Sequence, residues 1–561
     1  MTSRRDAGWR IPVAVLGLDA VLAVLVTHGA WFGPGARWVG VESDPPIFMW
    51  YLRWVPWAVG HGSNPLFTHH LDFPAGANLM ANTSIQVPAM VMAPVTALAG
   101  PVAAYNLLAT AALALSAWCA FLALRRFTTS AVGAAAGGLL YGFSPYMLTQ
   151  TRGHLNLSLA VFPPLVLLLA DEVLVRRRRS HRLLGVLLGL LVTAQLLTGP
   201  ELLVTSTITA VLGLAILAAL HHPLVRERGR DLLGVLGVAV LVAAPLCAYP
   251  LWLLLLGPQH VSGLLHPNDL YVTDLVSLVR PGDTAAIGVP SRFPTPDSEA
   301  YVGVPLLLLA GVTVVALRRR PAVVAAALLA AVMAVLSMGP RLHVDGTATA
   351  LRLPWRLIGG LPVLENILPI RLMAFTYLML GLIVAAALGG VLAARGPGLR
   401  LAGAAAVGLA LLPLLPTLHF PSSPVTTPGF FTSSAVDRIP AGTTALLTPI
   451  LDQDTMLWQA QADLRFRMPE GGVYTPGPAY NTPPSALRDR LYAVGAGQAP
   501  AGPISGEERA AYLGTLAAAR VETVLVGPPG QAALVRFFTG LLGRPPDATT
   551  GGVALWLGLP Y

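Results

Sequence analysis

Lysine is absent from this chain. All 36 basic residues are arginine, so the formal net charge of +9 rests on one residue type. That balance resembles the codon usage of a GC-rich bacterium and not a nucleic-acid footprint, and nucleic acid is not an expected partner. Cysteine is nearly absent too. Cys119 and Cys247 fall inside apolar runs, where a thiol behaves as a small hydrophobe, so no disulfide framework, thiolate metal site or catalytic thiol follows. Charge of either sign is scarce, at 11% of residues against 55% hydrophobic, with a mean hydropathy of +0.66. In its place stand many apolar runs near the ~20 residues that a helix needs to cross a bilayer. The composition therefore predicts an α-helical polytopic membrane protein whose first partner is the lipid bilayer. There is no convincing internal repeat, no phosphate-cradling glycine loop and no Ser-His-Asp order.

The first apolar run, residues 11–32, has basic flanks but no small-residue cleavage site in a suitable place, and reads as a retained helix. Arginines then mark one side of the membrane. Arg4, Arg5 and Arg10 precede the first helix, and Arg125/Arg126, Arg176 to Arg179, Arg226/Arg228/Arg230, Arg318 to Arg320 and Arg395/Arg400 sit in short later connections, which by the positive-inside rule are cytoplasmic. Placing all of them inside leaves residues 86–99, short and broken by proline, as a re-entrant or interfacial helix outside. About eleven spans result: 11–32, 102–124, 131–148, 157–175, 183–199, 201–220, 232–256, 301–317, 321–338, 372–394 and 399–418. The N-terminus is then cytoplasmic and the C-terminus extracytoplasmic in a multi-pass cell-membrane protein. The outward loops 33–101, 257–300 and 339–371 are long and rich in His, Asp, Glu, Tyr and Trp, so function is expected on the outer face.

Hydropathy falls after Phe420. A membrane domain over 1–420 is followed by a Pro/Ser/Thr linker over 421–428 and a small extracytoplasmic α/β domain over 429–561. Within the latter, residues 443–450, 521–527 and 553–559 read as strands and 484–494 and 506–519 as amphipathic helices.

The first outward loop carries Glu42-Ser43-Asp44 directly after a membrane helix. A charge near the bilayer centre costs roughly 2.5–3.5 kcal/mol, so both carboxylates must sit in water or line a polar cavity. The plain alternative is two solvated charges at a helix end. Trp50, Trp54 and Trp57 follow at helical spacing, broadened by Phe48 and Tyr51. They read as an aromatic anchor lying along the headgroup layer, with direct sugar stacking as the other use.

An acidic motif in the first outward loop of a many-spanning chain resembles the GT-C superfamily, the integral-membrane glycosyltransferases that include protein O-mannosyltransferases, lipid A aminoarabinose transferases and cell-wall arabinofuranosyltransferases. The resemblance covers residues 1–418. Asn64-Pro65-Leu66, Ser144-Pro145-Tyr146 with His154-Leu155-Asn156, and Met456-Leu457-Trp458-Gln459 with Arg465-Phe466-Arg467 are similar to uncharacterised bacterial membrane proteins grouped near these enzymes. The resemblance implies transfer of a sugar from a polyprenyl-phosphate donor to a hydroxyl or amide of a glycan, lipid or protein acceptor. A phosphate leaving group departs without a strong general acid, so one carboxylate can serve as base. Asp44 is the first choice, with Glu42 tuning it as a neighbouring like charge; Glu42 as base or metal ligand is the alternative.

Cations must hold the leaving phosphate. Arg371 stands at the outer end of a span, suited either to a bidentate phosphate contact or to snorkelling with Glu365. Arg53, Arg152 and Arg356 are further candidates, and Arg53 also suits an interfacial anchor. His69, His70 and His154 face outward with Asp72 and Asp44 and are weighed as substrate contacts or as ligands of a divalent cation, although their spacing matches no standard site. Glu201 complements a helix N-terminus. Trp458, Gln459, Arg465 and Arg467 are candidate acceptor contacts. A transporter or flippase of lipid-linked saccharides, or a non-catalytic envelope scaffold, is the rival reading. Asp19 is the clearest ionisable group inside a span, which is thin support for a coupled pathway.

Overall fold

The computed structural model describes residues 3–33, 35–41, 44–82, 85–289, 300–450, 453–476, 479–480 and 485–560. The chain divides into two compact units. The first holds residues 1–41, 106–247 and 266–423, and the second 42–105, 248–265 and 424–561.

Among the described residues, seven helical stretches are long and apolar enough to cross a membrane: Trp9–Val26, Gln86–Leu124, Leu155–Arg176, Pro200–Leu220, His222–Leu255, Pro369–Leu392 and Pro397–Leu414. Four further expected spans are shorter apolar helices, Ala131–Gly142, His181–Leu196, Val304–Ala316 and Pro321–Ser337. Proline sets one of these limits. The expected span 131–148 stops at Gly142, because Ser144 turns extended before Pro145 and its hydroxyl caps a new helix, Pro145–Thr151. The Gln86–Leu124 stretch is broken at Gly100, whose φ of 82° lies outside the helical region, just before Pro101.

The first unit is built around Met373–Leu392, in which every residue from Met373 to Ala386 is buried. It packs against Ala131–Gly142 through glycines. A Cβ at Gly137 would stand 2.3 Å from the Gly381 carbonyl oxygen, and one at Gly381 would stand 2.6 Å from that of Gly137. Lipid tails are as apolar as leucine, so close backbone approach, with its dispersion gain, holds such helices together. Peripheral helices keep apolar side chains such as Val21, Leu25, Val211, Leu241 and Leu401 exposed, as a lipid-facing surface requires. The outward segment 339–371 contains a hairpin, Arg341–Val344 with Thr347–Arg352, turned by Asp345 and Gly346 at positive φ. Residues read as linker are held as well: the Gly40 amide donates to the Pro421 carbonyl, Arg37 Nε to Ser422 Oγ, and Ser423 Oγ to the Gly40 carbonyl.

In the second unit, the C-terminal segment forms a four-stranded sheet in the order Ala548–Thr550, Val553–Trp556, Thr523–Val526, Ala445–Thr448. Thr523–Val526 runs parallel to Ala445–Thr448 with Val524 opposite Leu446, and antiparallel to Val553–Trp556. These three strands are buried at every position, which matches their continuous apolar sequence. Helices Ala486–Gly495, Gly506–Ala518 and Gln531–Leu542 supply Leu491, Tyr512, Phe537, Phe538 and Leu541 to a core around Val524 and Trp556. Ser505 and Glu508 close a capping box on the second of them.

Candidate active site

The chain enters the acidic triplet under tight control. Gly40 has φ +105°, and a Cβ there would lie 1.9 Å from the Arg152 carbonyl oxygen; the Val41 amide donates to that same oxygen at 3.2 Å. Only glycine permits this approach. Glu42 and Ser43 follow directly and lie outside the described residues. Asp44 precedes the helix Pro45–Gly60, its carbonyl accepting from the amides of Ile47 and Phe48. Its half-buried side chain makes no capping bond. Pro46 removes one of the two amides that a cap would satisfy, and the other, that of Ile47, donates to the Asp44 carbonyl. Asp44 is within electrostatic reach of the Tyr105 phenol.

The aromatic helix corrects the headgroup-anchor expectation. Phe48, Trp50, Tyr51 and Trp54 are buried in protein, with each polar handle used: Trp50 Nε1 donates to Gln459 Oε1 at 2.6 Å, Trp54 Nε1 to the Pro65 carbonyl at 3.1 Å and the Tyr51 hydroxyl to the Asn82 carbonyl at 3.0 Å. Gln459 in turn donates to the His70 and Phe466 carbonyls. It and the buried Trp458 are therefore packing groups, not surface contacts. Arg53 pairs with the exposed carboxylate of Asp463. His69 is exposed beside Phe67. His70 lies between the rings of Trp54 and Trp57, with centroids 5.1 and 4.9 Å away. Burial, and then the charge of Arg467, lower its pKa to about 4, so the imidazole is neutral at neutral pH.

The first unit gathers a different set. Arg371 begins the turn into the central helix and is 3% exposed. Its Nη1 donates to Gln150 Oε1 at 2.6 Å, and its Nε stands 3.8 Å from Glu201 Oε2. The carboxylate beside it is thus Glu201, whose other oxygen accepts from the Leu368 amide at 3.1 Å. Glu201 braces this turn in addition to opening its own helix. His266 is half-buried here, its pKa lowered first by burial and then by the Arg371 charge. Arg152 is buried and paired with Asp283 at 2.6 Å. Three buried side-chain atoms on this short stretch, Thr149 Oγ1, Gln150 Nε2 and Arg152 Nε, make no hydrogen bond among the described residues. Buried orphan donors are rare enough to need a reason. His154 is half-buried ahead of the short helix Leu155–Ser158, and Arg356 is exposed on the 3-10 turn Pro354–Leu357.

Thr149, Gln150 and His266 were not singled out from the sequence. No motif marks them, and Gln150 meets Arg371 across 221 positions. Among the described residues no three of His, Cys, Asp and Glu gather into a metal-binding group.

The fold of this chain is similar to that of solved transferases. The oligosaccharyltransferase AglB from Archaeoglobus fulgidus, solved with an inhibitory peptide and a dolichol-phosphate, superposes with a TM-score of 0.50 at 12% identity over 99% of this chain and 75% of that one. The arabinofuranosyltransferase AftD from Mycobacteria gives 0.53 at 17% identity over 97% of this chain. This chain spans 41% of the AftD length. ArnT from Cupriavidus metallidurans, bound to undecaprenyl phosphate, gives 0.47 at 11% identity, with 98% and 97% covered. The fold is GT-C-like, and the chain is a polytopic membrane protein. It belongs to the family described as Domain of unknown function (DUF6311), whose model matches residues 14–366. No curated protein matches significantly.

Proposed function

We propose that this protein is a membrane glycosyltransferase that moves a sugar from a polyprenyl-phosphate donor to a glycan, lipid or protein acceptor on the outer face of the cell membrane. The observation that carries the reading is the set of buried, unspent donors at Thr149, Gln150 and Arg152 in the unit where Gln150 also holds the buried guanidinium of Arg371. Such donors suit the oxygens of a phosphate, which only accept. The neutral His266 beside Arg371 adds no competing charge.

In the proposed reaction the acceptor oxygen or nitrogen attacks the anomeric carbon and gives its proton to Asp44. The bond from that carbon to the phosphate oxygen breaks, and its electron pair stays on the phosphate. Arg371 and Arg152 are the residues proposed within the first unit to hold a phosphate, as Asp44 is the base proposed within the second. Asp44 is proposed as the base because it carries a carboxylate in the first outward loop directly after a membrane helix. Glu42 is the residue proposed to tune it. Arg53, paired with Asp463, is the weaker phosphate candidate, and Arg356, His69, His70 and His154 are assigned to substrate contact.

The test is direct. Purified protein in vesicles, given a panel of radiolabelled polyprenyl-phosphate sugars and envelope acceptors, should transfer label from at least one donor. Absence of transfer with every donor, alongside movement of lipid-linked saccharide across the vesicle, would replace this reading with a transporter.

A further inference from the structure

The second unit contains a cavity of about 630 Å³ between the aromatic helix and the segment that follows Phe430. Its volume falls in the range of small-molecule sites. Its wall carries two carboxylates and two guanidinium groups, and both carboxylates are paired, one of them with Arg53 from outside the lining. Asp437 pairs with Arg465 at 3.0 Å, and Asp463 pairs with Arg53. Arg467 is the exception: its guanidinium lies over the Phe73 ring at 5.0 Å and has no carboxylate partner among the described residues. His70, beside it on the wall, is neutral at neutral pH for the reasons given above. One positive charge is therefore uncompensated.

The remaining wall mixes apolar and polar groups. Trp57 and Phe431 supply aromatic surface, and Ser433, Thr432 and Gln461 supply groups that donate and accept. The carboxamide oxygen of Gln461 is buried and makes no hydrogen bond among the described residues. Alternating donors and acceptors on a partly aromatic wall match vicinal hydroxyls, each of which both donates and accepts. With both carboxylates paired, Arg467 alone is left to balance a ligand anion, and the several charges of an acidic peptide would go uncompensated.

We propose that this cavity binds a saccharide bearing a single negative charge, with Arg467 holding the anion and the Gln461, Asp437 and Arg465 side chains holding hydroxyls. That the saccharide is the acceptor rests on the transferase reading; the binding does not.

The experiment is equilibrium titration of the full-length protein in nanodiscs, without donor lipid, using a tetrasaccharide containing one glucuronate, the matched neutral glucose tetrasaccharide and an acidic tetrapeptide. The glucuronate sugar should bind at least about tenfold more tightly than the neutral one, the scale of one charge-assisted contact. Arg467→Gln should erase that preference, Arg467→Lys should keep part of it, and Ala441→Trp, which fills the cavity, should remove binding of both sugars. Unfolding temperatures within a few degrees of wild type identify the variants as folded. Equal affinity for the two sugars, tighter binding of the peptide, no binding at all, or a preference that survives Arg467→Gln would each overturn the assignment. No turnover is measured, so such a failure leaves the transferase reading intact, whereas absence of transfer in the donor-panel assay with sugar binding preserved would count against that reading alone.

Discussion

Replacing Arg371 by lysine separates a phosphate-holding role from a bracing one. Arg371 is buried, with one guanidinium nitrogen on Gln150 Oε1 at 2.6 Å and another 3.8 Å from the Glu201 carboxylate. Lysine keeps the charge, so Glu201 stays compensated, and its ammonium can still meet Gln150. It cannot aim a second, coplanar donor at a phosphate oxygen at the same time. A hydrogen bond to a charged group is worth roughly 1.5–3 kcal/mol, or about 10- to 100-fold in a binding constant. The assay is initial transfer rate against donor concentration at saturating acceptor. The donor KM should rise by roughly 10- to 100-fold with kcat changed only a few-fold, the pattern of lost uniform binding. An unchanged KM with a lowered unfolding temperature would show that the guanidinium only braces the turn, and would refute the reasoning.

Three further outcomes follow from the same structure. Cysteine placed at the exposed Ser63 should react with an impermeant reagent from outside intact cells, and cysteine at the exposed Ser180 should be shielded; native Cys119 and Cys247 are buried and should stay silent. Gln459→Leu strands the Trp50 indole and the Phe466 carbonyl, leaves the His70 carbonyl only its bond from the Met468 amide, and should cost about 2–4 kcal/mol in chemical unfolding. Burial raises the pKa of Glu470 from 4.5 to about 7, against a partial lowering by Arg488. The folded state therefore holds the proton more tightly, and stability present below pH 4.5 is lost as pH rises through about 7. Glu470→Gln should flatten that fall in unfolding temperature, and an identical pH profile in the variant would contradict it.

The apolar helices were legible because apolar runs are local signals. The fully buried strands at Thr523–Val526 and Val553–Trp556 were legible for the same reason, as continuous apolar segments. The tryptophan spacing at 50, 54 and 57 gave the helix but not its surroundings. An amphipathic indole suits a headgroup layer and a protein interior equally, and only Gln459, 409 positions away, decides between them. The linker read from Pro, Ser and Thr composition is held at Ser422 and Ser423 by Arg37 and Gly40, residues nearly 400 positions earlier in the chain. The hairpin in 339–371 does have a local signal, Asp345-Gly346, at its turn. Among the candidate residues of the two units, Asp44 and Arg371 stood out by position relative to the apolar runs. Gln150, Glu201 and His266 reach Arg371 through tertiary contacts that no spacing reveals.

The most direct test of the account is Asp44→Asn, which keeps the side-chain shape and removes the proton acceptor. In vesicles with a donor that supports transfer by the wild type, the variant should lose roughly 10²- to 10⁴-fold in kcat, the scale of losing a general base, while donor binding stays within a few-fold. Full transfer activity in the folded variant would contradict the assignment of Asp44 as base.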